Sequence, residues 1–184
     1  MELIKIKDTD IILQNFEKKG QGKIIIADNW RGAFTYSWDA MGSDINNFIC
    51  DINNDYFANK LLSGSSYTFS GKKSVSNVRK YIREELYHEL PWYKYMGAQK
   101  ELREALRNLE GSSNAEGFVN SMTHLSDNLM CYDLDLYDTR KFSKIIKIHF
   151  ETEPWYFIGE SLSNDYHWLC DIHNKIKKEL KQKI

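Results

Sequence analysis

The sequence predicts an α+β fold, a small antiparallel sheet opened by an N-terminal hairpin and packed with about five helices. Two observations carry this. Lys23-Ile24-Ile25-Ile26-Ala27 is a β-branched run between turn residues, and Phe34, Tyr36 and Trp38 then alternate with Thr35 and Ser37. Over most of the chain beyond Ser43, apolar residues instead recur every three or four positions, the period of a helix with one buried face.

Ile11-Ile12-Leu13 is a short strand, and Gly20-Gln21-Gly22 punctuates the chain before the next one. Asp28-Asn29-Trp30-Arg31-Gly32 makes a turn, since Asn29 and Gly32 tolerate positive φ. Gly20 through Trp38 is therefore a hairpin with one aromatic face. Ser43 at an N-cap and Asp44 in the first turn start a helix carrying Ile45, Phe48, Ile49, Ile52 and Tyr56 at helical spacing, closed by Leu61-Leu62 before Gly64. This ββα run buries Phe34, Tyr36 and Trp38 against that apolar stripe.

The small-residue stretch Ser63 to Lys73 marks a boundary. The expected organisation is one domain over residues 1–184, subdivided into a ββα part (1–62) and a mainly helical part (74–184). Ser74 caps a helix bearing Val75, Val78, Ile82 and Leu86, which Pro91 ends near Leu90. Tyr93 to Leu109 is helical, with Leu102, Leu106 and Leu109 on one side and a paired charged face opposite. Gly111-Ser112-Ser113 leads into a helix carrying Phe118, Met122, Leu125 and Leu129. Tyr132, Leu134 and Leu136 alternate with Asp133 and Asp135 as a short strand would, and Phe142 to Phe150 fits both periods in part. Ser163 caps a final helix with Leu169, Ile172, Ile176 and Leu180 inward and lysines outside.

Composition narrows the function classes. Among 184 residues, 42% are hydrophobic and 14% aromatic, with two prolines, which excludes a disordered linker. The 25 Lys and Arg nearly cancel 26 Asp and Glu, so direct nucleic-acid binding through a broad basic field is not favoured, nor is acidic mimicry of DNA. Cys50, Cys131 and Cys170 are odd in number and form no C-x-x-C pair, which suits free thiols in a reducing compartment. The first residues carry no signal-peptide pattern and no apolar run reaches a membrane span, so the expectation is a cytoplasmic protein.

No motif for nucleophilic catalysis, phosphate cradling or dinucleotide binding occurs, and no catalytic residue or cofactor is assigned. His167, Cys170 and His173 recur every three residues, but on a helix only neighbouring pairs could share an ion. The plainer reading is a buried Cys with two surface imidazoles. Asp133 and Asp135, near Asp138, His149 and Glu151, could hold a divalent ion for a nuclease, but the plainer reading is an exposed acidic strand edge that resists edge-to-edge pairing. No metal site is assigned.

The surplus of aromatics is the better clue. Trp30 and Arg31 at the hairpin tip, with Lys18, Lys19 and Lys23 nearby in sequence, have the composition of an interface hot spot. The alternative is a Trp folded back over its hairpin. Trp92, Tyr93 and Tyr95 form a second cluster too dense for one buried helix face, and Trp155-Tyr156-Phe157 a third. Trp30, Arg31, Trp92, Tyr93 and Tyr95 are the candidate partner-binding residues.

Gly22-Lys23-Ile24-Ile25-Ile26, then Phe34-Thr35-Tyr36-Ser37-Trp38-Asp39-Ala40-Met41-Gly42-Ser43, Phe48, Asp55-Tyr56-Phe57-Ala58 and Lys60-Leu61 resemble a family of small proteins carried by bacteriophages and prophages. The resemblance covers about residues 20–62 and brings no established activity, so it carries over no site residue. It implies an accessory phage gene acting in the cytoplasm of a bacterial host. In that context the expected function is non-enzymatic inhibition of a host defence protein or ribonucleoprotein, an anti-CRISPR type inhibitor first. The alternatives are a metal-dependent nuclease or other hydrolase using Asp133 and Asp135, and a structural or DNA-handling phage protein that acts as an oligomer. A homodimer is compatible with any of these.

Overall fold

A computed structural model describes residues 1–86, 96–129 and 136–182. It has the expected α+β class, in two compact units. Unit 1 joins residues 1–66 to residues 162–184, and unit 2 is residues 67–161. The C-terminal segment therefore belongs with the sheet, not with the helical part in which the subdivision at residue 74 had placed it.

Unit 1 is built on four antiparallel strands, β1 (Glu2–Ile6), β2 (Thr9–Asn15), β3 (Gly22–Asp28) and β4 (Gly32–Trp38), in that spatial order. Register aligns Ile4 with Ile11, Ile11 with Ile26, and Ile26 with Phe34, while Leu13, Ile24 and Tyr36 form a parallel row of pairs. With a side-chain period of two, these positions share one face, and Ile4, Ile11, Leu13, Ile24 and Ile26 are buried there. Trp38 is buried on the same face and Phe34 and Tyr36 are half-buried. β1 was not expected from the sequence.

Helices α1 (Ile45–Asp51), α2 (Asn54–Leu61) and α7 (Asn164–Gln182) complete this core. The single helix expected from Ser43 to Leu62 is two, and its cap is Asp44, whose carboxylate accepts from the backbone N–H of Asn46 and Asn47. The break falls at Ile52, in extended conformation, because Asn53 accepts from the Tyr56 N–H and starts a new helix. The break leaves carbonyls at the end of α1, and α7 satisfies them: His173 Nε2 donates to Ile49 O at 2.9 Å and Lys177 Nζ to Ile52 O. The final helix holds Leu169, Ile172, Ile176 and Leu180 inward, and Ser163 Oγ accepts from the Tyr166 N–H at its start.

Unit 2 contains α3 (Gly71–Tyr81), α4 (Met96–Leu109), α5 (Ala115–Thr123), α6 (Leu136–Ile146), the short strand β5 (Tyr67–Phe69) and all but the last residue of its partner strand β6 (Glu160–Leu162). The last turns after α3 and α6, Ile82–Leu86 and Lys147–Glu151, are wound as π-helix. The Phe142–Phe150 stretch is thus helical. Ser70, not Ser74, caps α3; Ser74 is buried, donating to Ser70 O and accepting from the Gly159 N–H. Asn114 caps α5, a position later than the Gly-Ser-Ser signal suggested. Val75, Val78, Leu102, Leu106, Phe118, Met122, Phe142, Phe150 and Phe157 form the core of this unit. Among the described residues there are seven α-helices, two more than expected, because the first divides and α6 is helix.

Trp92, Tyr93 and Tyr95, the break at Pro91, Cys131, and the carboxylates Asp133 and Asp135 lie outside the described residues.

Candidate interaction site at the hairpin tip

The β3–β4 turn is fixed by its first residue. Asp28 Oδ1 accepts from the backbone N–H of both Trp30 and Arg31 at 3.0 Å, and Oδ2 accepts from the Thr9 hydroxyl at 2.8 Å. Burial pushes the Asp28 carboxyl up, but the hydrogen bonds from Thr9, Trp30 and Arg31, aided by the Arg31 charge, outweigh it and hold the group below its ordinary value. Gly32 closes the turn at φ +84°, a conformation that a side chain would strain.

On this fixed backbone the two candidate side chains diverge. Trp30 is 89% exposed, so it does not fold back over its hairpin. Arg31 turns to α7, where Nη1 pairs with Asp165 Oδ1 and the guanidinium lies 5.3 Å from the centre of the Trp168 ring. Trp168 in turn packs on Phe34, with ring centres 5.4 Å apart. A free-standing indole therefore rises from a base of Arg31, Asp165, Trp168 and Phe34 that is anchored in the core of unit 1.

The sheet does not bring Lys18, Lys19 and Lys23 to this tip. Asn15 pairs with Gly22, so Lys18 and Lys19 lie in the turn at the other end of β3. At about 3.3 Å per residue the two ends of that strand are roughly 20 Å apart. The tip is aromatic with one compensated cation, not a basic-aromatic cluster. Asp165 and Trp168, which complete it, were missed because only the tertiary return of α7 places them there.

The His167, Cys170 and His173 series is not a metal site. His167 faces solvent, whereas His173 is fully buried, correcting the expectation of two surface imidazoles. Its ring stacks on Phe57 at 4.1 Å, with Nδ1 2.7 Å from the Asn54 side-chain amide and Nε2 bonded to Ile49 O. Burial, with the Lys177 charge adding to it, lowers this imidazole to about 4 despite the bond to Ile49, so the ring is neutral. Cys170 is half-buried, and burial raises its thiol; Asp55 and Asp171 add to that against the opposing bond to Tyr166. A raised thiol is a poor ligand and a poor nucleophile. The neighbouring Tyr166 hydroxyl donates to Asp55 Oδ1, which together with burial raises the phenol. Among the described residues no three His, Cys, Asp or Glu side chains are grouped to hold a metal ion, and no helix is long and apolar enough to cross a membrane.

Fold and site define an α+β protein of two units, with a rigid hairpin presenting one exposed tryptophan. The chain belongs to a phage protein family: the model of a group described as a phage family matches residues 1–182, far beyond the stretch that carried the resemblance. No curated protein and no solved structure matches it.

Proposed function

We propose that this phage protein is a non-enzymatic accessory protein that engages a host macromolecule through the β3–β4 hairpin tip. The observation that carries the reading is the 89% exposure of Trp30 on a turn whose backbone is already ordered by Asp28. A large apolar side chain held out on a fixed backbone loses little conformational freedom on docking, and Trp and Arg are both residue types enriched among interface hot spots. A near-neutral chain gains affinity from such a compact patch more than from a diffuse field.

The phage context favours a host defence complex as the partner, with an anti-CRISPR type of inhibition the first reading. Inhibition by occupancy needs an interface and no catalytic groups, which suits the neutral His173 and the raised Cys170 thiol. The test is capture of partners from host lysate with the full chain, run beside the Trp30→Ala/Arg31→Ala variant. Retention of a defence-complex subunit by the wild type alone supports the proposal; retention of nucleic acid alone, or equal retention by both proteins, contradicts it.

A further inference from the structure

Within unit 2, α3 and α4 run antiparallel. The position a Cβ would take on Gly71, at the start of α3, lies 2.5 Å from Glu110 O just beyond the end of α4, so the two backbones touch there. Further along, a groove of about 500 Å³ opens between them. Its floor is aliphatic, formed by Ile82, Leu102 and Leu106, of which the two leucines are buried core residues. Its walls are cationic. Arg79 and Arg83 stand four residues apart on one side, and Arg103 and Arg107 four residues apart on the other. Among the described residues no carboxylate lines it.

Only part of this charge is compensated. Arg79 pairs with Glu110 at 2.7 Å, and Arg103 Nη2 donates to Gln99 Oε1 at 3.4 Å. Glu84, the next acid along the chain after α3, pairs with Lys80 instead. Arg83 and Arg107 make no ion pair among the described residues and are exposed. Two facing rows of arginine over an aliphatic trough suit an occupant with an apolar ridge flanked by negative charge. Nucleic acid carries the charge, but its bases want aromatic platforms, and this floor has none. An amphipathic helix supplies both parts, apolar residues for the floor and Asp or Glu on each flank at the spacing of the arginine pairs.

We infer that this groove is a second binding site, on unit 2, and that it takes an acidic amphipathic helix from a protein partner. The aliphatic floor provides affinity and the arginine rows set orientation and exclude basic helices.

The test uses the whole chain and a fluorescent peptide of about 18 residues, five helical turns, with Leu along one stripe and Glu on both flanks. Its twin carries Lys on the flanks, and a single-stranded and a duplex oligonucleotide complete the set. The expected result is binding of the Glu peptide alone, weakening as salt rises. The charge reversal Arg83→Glu/Arg107→Glu should reduce binding at least tenfold, with a smaller loss for Arg83→Gln/Arg107→Gln. Melting temperature should be unchanged in both variants, and Trp30→Ala should bind the peptide like the wild type. Equal binding of the Lys peptide, oligonucleotide binding that the charge reversal abolishes, or Glu-peptide binding that is absent or indifferent to both variants overturns the inference.

Discussion

The guanidinium of Arg31 lies 5.3 Å over the ring of Trp168 and pairs at the same time with Asp165, so the hairpin tip and the first turns of the C-terminal helix form one surface. The two contacts differ in weight. The ion pair is between groups that are 35% and 46% exposed, where solvent leaves such pairs about 1 kcal/mol or less. Trp168 also packs on Phe34, and its removal uncovers apolar surface. Asp165→Ala should therefore cost under about 1 kcal/mol in urea unfolding, and Trp168→Ala about 2 kcal/mol. A larger loss for Asp165→Ala than for Trp168→Ala contradicts this ordering.

Trp38 anchors the other end of the aromatic face. It is 5% exposed and meets Tyr36 and Phe48 edge-on, with ring centres 4.9 and 5.3 Å away. Trp38→Ala should cost about 3–5 kcal/mol by equilibrium unfolding. A loss of a few tenths would mean that the strand presents its other face to the core.

His173 makes stability depend on pH. The unfolded chain protonates this group below its ordinary 6.5, whereas the folded imidazole stays neutral to about 4. Between those values the unfolded state binds the extra proton, so stability is complete above about 6.5 and falls as pH drops to 4. The full change is about 3 kcal/mol. Asp28 is held below its ordinary 3.8, so its stabilisation is lost only at lower pH and does not overlap this window. Urea unfolding of wild type and His173→Gln from pH 7 to 4 should give a slope in the first and a flatter profile in the second. Parallel profiles contradict the assignment.

Elements decided by local chemistry were legible in the sequence. The alternation at Phe34, Tyr36 and Trp38 placed the inward face of β4, and the helical spacing of Leu102, Leu106 and Leu109 and of Leu169, Ile172, Ile176 and Leu180 marked residues that are buried. What failed was what tertiary contact decides. The break at Ile52 depends on Asn53 as a cap and on His173 and Lys177 as donors from a distant helix. The separation of Lys18 and Lys19 from Trp30 follows from strand direction, which sequence proximity hides. Asp165 and Trp168 could be joined to Arg31 only by knowing that α7 returns to the sheet. The arginine groove had a visible trace, four residues at two i, i+4 spacings, but paired charges on a solvated helix face look the same.

On the proposed function, Trp30 and Arg31 bind the partner and do not hold the fold. The most direct measurement is isothermal titration of the captured host complex with wild type and Trp30→Ala/Arg31→Ala, with thermal melting on the same preparations. The expected result is at least a tenfold loss of affinity, about 1.4 kcal/mol, at a nearly unchanged melting temperature. Undiminished affinity in the variant, or affinity lost together with the fold, contradicts it.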